Sequence, residues 1–171
     1  MNLKQKFRSN NFTFSNQKNN LICFFIVILI FSLDRISKIQ IIENQLNNSR
    51  LYVNDFINFD LIWNTGIGFG ILSTNTSLIY NTITSIIGGV IIFIIYLIIQ
   101  SKFIDKMLFS LVAGGAAGNF YDRLAYYAVP DFIDVHYQNF HWFTFNIADI
   151  FISIGIIILI IKDFFFKNEK N

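Results

Sequence analysis

Four stretches of this sequence are apolar for long enough to cross a lipid bilayer, and that restricts the chain more than any motif within it. As an α-helix, Leu21 to Ile42 rises about 33 Å, more than the roughly 30 Å of a bilayer's hydrocarbon core. The same length test marks spans at about Ser77 to Ile99, Lys106 to Tyr126 and Phe145 to Phe166. The third is the weakest, because Gly114, Gly115, Gly118, Asn119 and Asp122 lie in it, and a helix of that kind needs neighbours to cover its polar side. Of the 171 residues, 54% are hydrophobic and 14% charged, which is too apolar for a soluble domain of this length. The expected fold is an all-α integral membrane protein with four transmembrane helices in one membrane domain.

Met1 to Asn20 is polar and basic and leads into an apolar run, the outline of a secretory signal. No small-residue cleavage site follows, and the apolar pattern resumes through Ile36, Ile39, Ile41 and Ile42, so the first span is expected to stay. Lys4, Lys6, Arg8 and Lys18 in this arm, Lys102 and Lys106 in the second connection, and Lys162, Lys167 and Lys170 in the tail lie on one side of such a bundle. Basic flanks remain cytoplasmic, so both termini are expected inside and the loops Glu43 to Thr76 and Tyr127 to Thr144 outside. In the first outer loop, Leu51 to Trp63 partly alternates aromatic and β-branched residues with polar ones, which suggests short strands on the membrane surface. There Trp63 and the phenylalanines can rest at headgroup level. A net charge of +2 gives no basic face for a nucleic acid. The single cysteine, Cys23, excludes a disulfide within the chain and reads as a small buried hydrophobe.

Ionisable groups at the edge of a bilayer are costly, so each finds a partner or does a job. Asp34 and Lys38 stand four apart on the first helix, placed for an ion pair. Asn119, Asp122 and Arg123 form one stripe if the third helix reaches that far, and Asn146 shares a face with Asp149 at the start of the fourth. Structural readings exist for these too: a contact between Asp122 and its neighbour Arg123, and Asn146 as a helix cap. Asp131 lies in a short apolar segment, Val129 to Ile133, able to fold back over the helix ends, while Asp149 lies about one turn into an apolar helix. Neither has a cation within four residues. Two carboxylates brought together where water is scarce do not readily both ionise, and such a pair can divide the work of acid and base. On spacing alone an aspartyl centre, ion binding and helix packing all remain open.

Gly66 to Gly70 resembles a nucleotide loop only superficially, since it lacks the strand, helix and downstream lysine of one, and a tight turn is expected. Gly114 and Gly118 have the spacing that lets helices approach closely. His136 and His141 lack the further histidines or cysteines of a zinc site, and no metal or cofactor is expected.

Together these segments resemble lipoprotein signal peptidase, or signal peptidase II, the bacterial inner-membrane aspartyl peptidase, from about Ile22 to Ile161. Five blocks carry the likeness: Asp34 to Lys38, Asn64 to Gly70, Gly114 to Leu124, Val129 to Asp134 and Phe145 to Asp149. The resemblance implies a small outer β-rich cradle beside the four spans, and cleavage of prolipoproteins just before a diacylglyceryl-modified cysteine at the periplasmic face. It implies a catalytic dyad at Asp131 and Asp149, with Asn64, Gly66, Asn119, Asp122, Arg123, Asn146 and Ala148 orienting dyad and substrate, and Asp34 and Lys38 in support. It further implies a monomer in contact with membrane lipid and inhibition by the cyclic peptide globomycin. Two departures stand out. Pro130 replaces a usual valine and removes a backbone donor beside Asp131, and Ile67-Gly68 replaces two alanines. The rival readings are a small transporter, in which the same acids carry protons or cations, and a structural subunit whose polar groups only pair helices.

Overall fold

In the computed structural model, which describes residues 3–45, 50–66 and 77–166 and the side chains of 17–44, 50–66 and 78–165, every apolar stretch is helical. The elements are α1 (Leu3–Gln45), β1 (Leu51–Asn54), β2 (Ile57–Asn64), α2 (Ser77–Gln100), α3 (Phe103–Tyr126), β3 (Val129–Tyr137), β4 (Phe140–Phe145) and α4 (Ile147–Phe166). The basic arm is not separate from the first span, because the helix already begins at Leu3. The expected third span gains a turn at its start, and the fourth begins at Ile147, since Phe145 belongs to a strand.

α3 touches each of the other helices and is the axis of the bundle. Its glycines make that possible. A methyl group on Gly114 would stand 2.7 Å from Cβ of Ile30 on α1, and one on Gly115 would stand 2.6 Å from the carbonyl oxygen of Ala148 on α4. Both distances are shorter than any real carbon contact, so these helices pack at a separation that only glycine allows. Around Val112, Ala113 and Ile94, a small apolar core collects Val27, Ile98, Phe109 and Ile152. Among the described residues one helix, Leu78–Gln100, is long and apolar enough by itself to qualify as a span.

The four strands form one antiparallel sheet in the order β1-β2-β3-β4. α3 ends where Tyr127 takes a left-handed conformation (φ 57°), which turns the chain out of the helix and into β3. The first outer loop thus holds the expected strands, but the second, read from sequence as a short segment folding back, is a hairpin of two further strands. Pro130 keeps its place in the ladder opposite Trp63. β4 reaches along β3 only to Ile133, so Pro130 has a strand on one side alone, the position in a sheet that tolerates a missing N–H. Gly66 is buried, and its N–H donates to Oδ1 of Asn64 at 2.8 Å. The rest of the glycine run, with Ile67 and Gly68, lies outside the described residues.

Candidate active site

The site forms where the near end of the sheet meets α3 and α4. β2 carries Asn64, β3 carries Asp131, and a bulge in their register between Phe59 and Ile62 sets Ile62 opposite Asp131 and Asn64 opposite Val129. Oδ2 of Asp131 accepts from Nδ2 of Asn64 at 2.9 Å, and Oδ1 accepts from Nδ2 of Asn146 at 2.6 Å. The side chain is 3% exposed. Burial above all, then the charge of Asp149, push its carboxyl up to about 6, against the pull of both asparagine bonds and the Lys38 charge.

Asp149 is fixed by the start of α4. The Asn146 side chain accepts from the Asp149 N–H at 3.0 Å, while Oδ2 of Asp149 accepts from the Asn146 N–H at 3.2 Å. This reciprocal pair is a capping box, and it uses the catalytic candidate as one of its halves. Oδ1 of Asp149 also accepts from Nδ2 of Asn119 at 2.8 Å. Asn146 therefore ties the two carboxylates together, with one end of its amide on Asp131 and the other on the backbone of Asp149.

Behind Asn119 lies an ion network. Lys38, 0% exposed, donates its three protons to Oδ1 of Asn119 at 2.8 Å, Oδ2 of Asp34 at 2.8 Å and Oδ2 of Asp122 at 2.7 Å. The expected Asp34–Lys38 pair is thus present and is part of something larger. Asp34 uses its other oxygen to accept from the Ala148 N–H at 3.0 Å, satisfying a donor that the first turn of α4 leaves free. Arg35 pairs with Asp122 and lies over the rings of Tyr121 and Tyr126, at 4.7 and 5.6 Å. The two buried carboxylates of this network are balanced by two cations, which is what makes their burial tolerable.

One of the structural readings open in the sequence does not hold here. Asp122 does not engage Arg123; it faces α1, while Arg123 lies 5.4 Å over the ring of Tyr80, with its Nη1 buried and unpaired among the described residues. Successive residues on a helix point about 100° apart, so the stripe divides. Asn119 and Arg123 line a cavity of about 290 Å³ together with Asn64, Ala116, Asp131 and Asp149, and Asp122 does not. Ile152 and Ser153 also line it, as do Ile87 and Val129. Sequence reasoning passed over Ile152 and Ser153, although they stand three and four residues after Asp149 and so share its face. It also gave Arg35 no part in the site. The signal was its place next to Asp34 in the first quoted block.

A family described as signal peptidase II matches residues 26–165. The chain belongs to the signal peptidase II family. The lipoprotein signal peptidase of Pelagibacter ubique (strain HTCC1062) is 48% identical over 91% of this chain and 95% of that protein. That of Anaplasma phagocytophilum (strain HZ) is 33% identical over 90% and 99%. A solved bacterial membrane enzyme, 31% identical, superposes with a TM-score of 0.70 over 88% of this chain and 93% of its own. Membership of signal peptidase II makes the chain a peptidase, and decides against the transporter and structural-subunit readings.

Proposed function

We propose that this signal peptidase II cuts prolipoproteins just before the diacylglyceryl-modified cysteine, using Asp131 and Asp149 as an aspartyl dyad. The observation that carries this reading is that both carboxylates line one cavity, each held from outside by asparagine donors. Asp131 holds the shared proton and Asp149 is ionised. Water attacks the scissile carbonyl as Asp149 takes its proton, and Asp131 protonates the carbonyl oxygen to give a neutral tetrahedral diol. When the carbon–nitrogen bond breaks, Asp149 gives its proton to the cysteine nitrogen and a diol hydroxyl returns one to Asp131. The products are a carboxylic acid on the signal peptide and a free amine on the lipidated cysteine. Asn64, Asn119 and Asn146 keep the carboxylates aimed, Asp34, Lys38, Asp122 and Ala148 hold Asn119 and the start of α4, and the unpaired Nη1 of Arg123 is free to meet the substrate backbone. Gly66 secures Asn64 from behind.

The same reading gives the chain four transmembrane helices in one domain, with both termini cytoplasmic and the dyad at the periplasmic face of the inner membrane. Its support is the apolar surface: Phe24, Phe25 and Leu29 on α1, Ile92 and Phe93 on α2, Ile104 on α3 and Ile157 and Ile160 on α4 all stand largely exposed, as side chains facing lipid do. The enzyme acts as a monomer without metal, and globomycin-like cyclic peptides compete for the cavity. The test is cleavage of a fluorogenic diacylglyceryl-lipopeptide by purified enzyme in detergent, with product masses locating the bond. Asp131→Asn and Asp149→Asn each lower the rate by about 10²–10⁴-fold at normal expression. Near-native turnover by either variant removes the dyad.

A further inference from the structure

Gly118 sits on α3 directly before Asn119 and has no part in the chemistry above. A methyl group on it would overlap Oδ2 of Asp34 and stand 3.1 Å from its Cγ, and all three of the nearest atoms belong to Asp34. Gly114, one turn earlier, meets Ile30 and the Val27 carbonyl instead, an ordinary helix-packing contact. Gly118 therefore gives room to a carboxylate, on which two supports of Asp149 converge. Oδ1 of Asp34 holds the Ala148 N–H, one residue before Asp149, and Oδ2 holds Lys38, which in turn fixes the Asn119 amide that donates to Asp149. Asp34 is 0% exposed and both bonds are at ordinary length, so a carboxylate pushed aside by an ångström loses both.

We infer that Gly118 is a positioning residue for hydrolysis: the space left by its missing side chain seats the Asp34 carboxylate, and through Ala148 and Lys38 that carboxylate sets the aim of Asp149. The inference rests on the dyad reading. It assigns Gly118 an effect on turnover that acts through one other side chain, where a glycine needed only for packing acts on stability through many.

The experiment is a double-mutant cycle in the full-length enzyme, with lipopeptide turnover and melting temperature in detergent read for each variant. Gly118→Ala lowers kcat by about 10²-fold, the loss expected when a catalytic group is misplaced by an ångström, and leaves KM within about twofold. Asp34→Ala lowers kcat similarly and still folds, because Lys38 keeps Asn119 and Asp122. Gly118→Ala/Asp34→Ala is no slower than Asp34→Ala, since the methyl group then has room. Gly155→Ala, which crowds Val112 away from the site, lowers the melting temperature and leaves kcat unchanged. The inference is overturned if the two losses multiply in the double variant, or if Gly118→Ala turns over at the native rate. Should Gly118→Ala fail to fold, recovery of folding in the double variant supports the seat at Asp34, and its failure there overturns it. Asp149→Asn is run alongside: activity in that variant removes the dyad reading itself, whereas an inactive Asp149→Asn beside a native-like Gly118→Ala removes only this inference.

Discussion

The Asp131 carboxyl is lifted from 3.8 to about 6 by burial and by Asp149, and under the proposed dyad that shift sets how the enzyme answers to pH. In the proposed mechanism the productive state has one proton on the pair, and the second ionisation removes the general acid. Activity as kcat/KM, which reports the free enzyme, therefore falls as pH rises through about 6, and a profile rising across that range would place the proton elsewhere. The same shift bears on stability with a definite sign. A carboxyl whose folded pKa is raised binds its proton more tightly in the native state, so its contribution is full below 3.8 and is lost as pH rises through about 6. That loss is of the order of 3 kcal/mol, and Asp131→Asn removes this share of the pH dependence from melting curves taken between pH 4 and pH 7. Lys38 makes the complementary case. Lys38→Met leaves Asp34 and Asp122 without their shared cation and costs about 3–5 kcal/mol, read by thermal unfolding in detergent. Residue types and helical spacing made the Asp34–Lys38 pair legible in the sequence. The partners of Asp122 were not legible, because Lys38 lies 84 residues away and the choice between it and the adjacent Arg123 depends on which way α3 faces.

At the scale of elements, the glycines of α3 and α2 carry opposite expectations. Gly115→Ala drives a methyl group into the Ala148 carbonyl, backbone that cannot swing aside, and costs about 1–3 kcal/mol as overpacking. Gly89→Ala meets nothing within 4 Å and gains about 0.5–1 kcal/mol from helix propensity. A detergent melt that ranks the two variants the other way would contradict this packing of α3 against α4. The helices were legible because each coincides with a long apolar stretch, and length and apolarity are local properties. The hairpin β3–β4 was not. Val129 to Phe132 are all buried, so β3 begins without the alternation that marks a half-exposed strand, and Phe140 to Phe145 is aromatic on both faces. Its register comes from β2, which joins the sheet from the other side of α2 and α3 in the chain. The cap of α4 shows the same division: Asn146 was readable as a cap from its place before an apolar run, but its second bond, to Asp131, needed the sheet to bring β3 alongside.

For the molecule as a whole, the polar network and the apolar surface require each other. Asp34, Lys38, Asp122, Asp131, Asn146 and Ala148 are buried to within a few per cent, while large side chains such as Leu78, Ile92 and Phe164 are more than two-thirds exposed. That inversion of the soluble pattern is stable only if the surroundings are lipid and the polar groups satisfy one another inside. The proposed four-span topology puts the connection between α2 and α3 at Ser101 and the turn between β3 and β4 at Gln138 on opposite sides of the membrane. In that proposal the basic residues Lys102 and Lys106 keep the first in the cytoplasm, and the sheet stands on the periplasmic side with the proposed dyad. After Cys23→Ser, a cysteine at Gln138 reacts in intact cells with a membrane-impermeant maleimide, and a cysteine at Ser101 reacts only once the inner membrane is opened. Labelling of both positions from the same side would break the four-span arrangement. It would also separate the dyad from the outer leaflet, where a cysteine already carrying its diacylglyceryl group presents the bond to be cut.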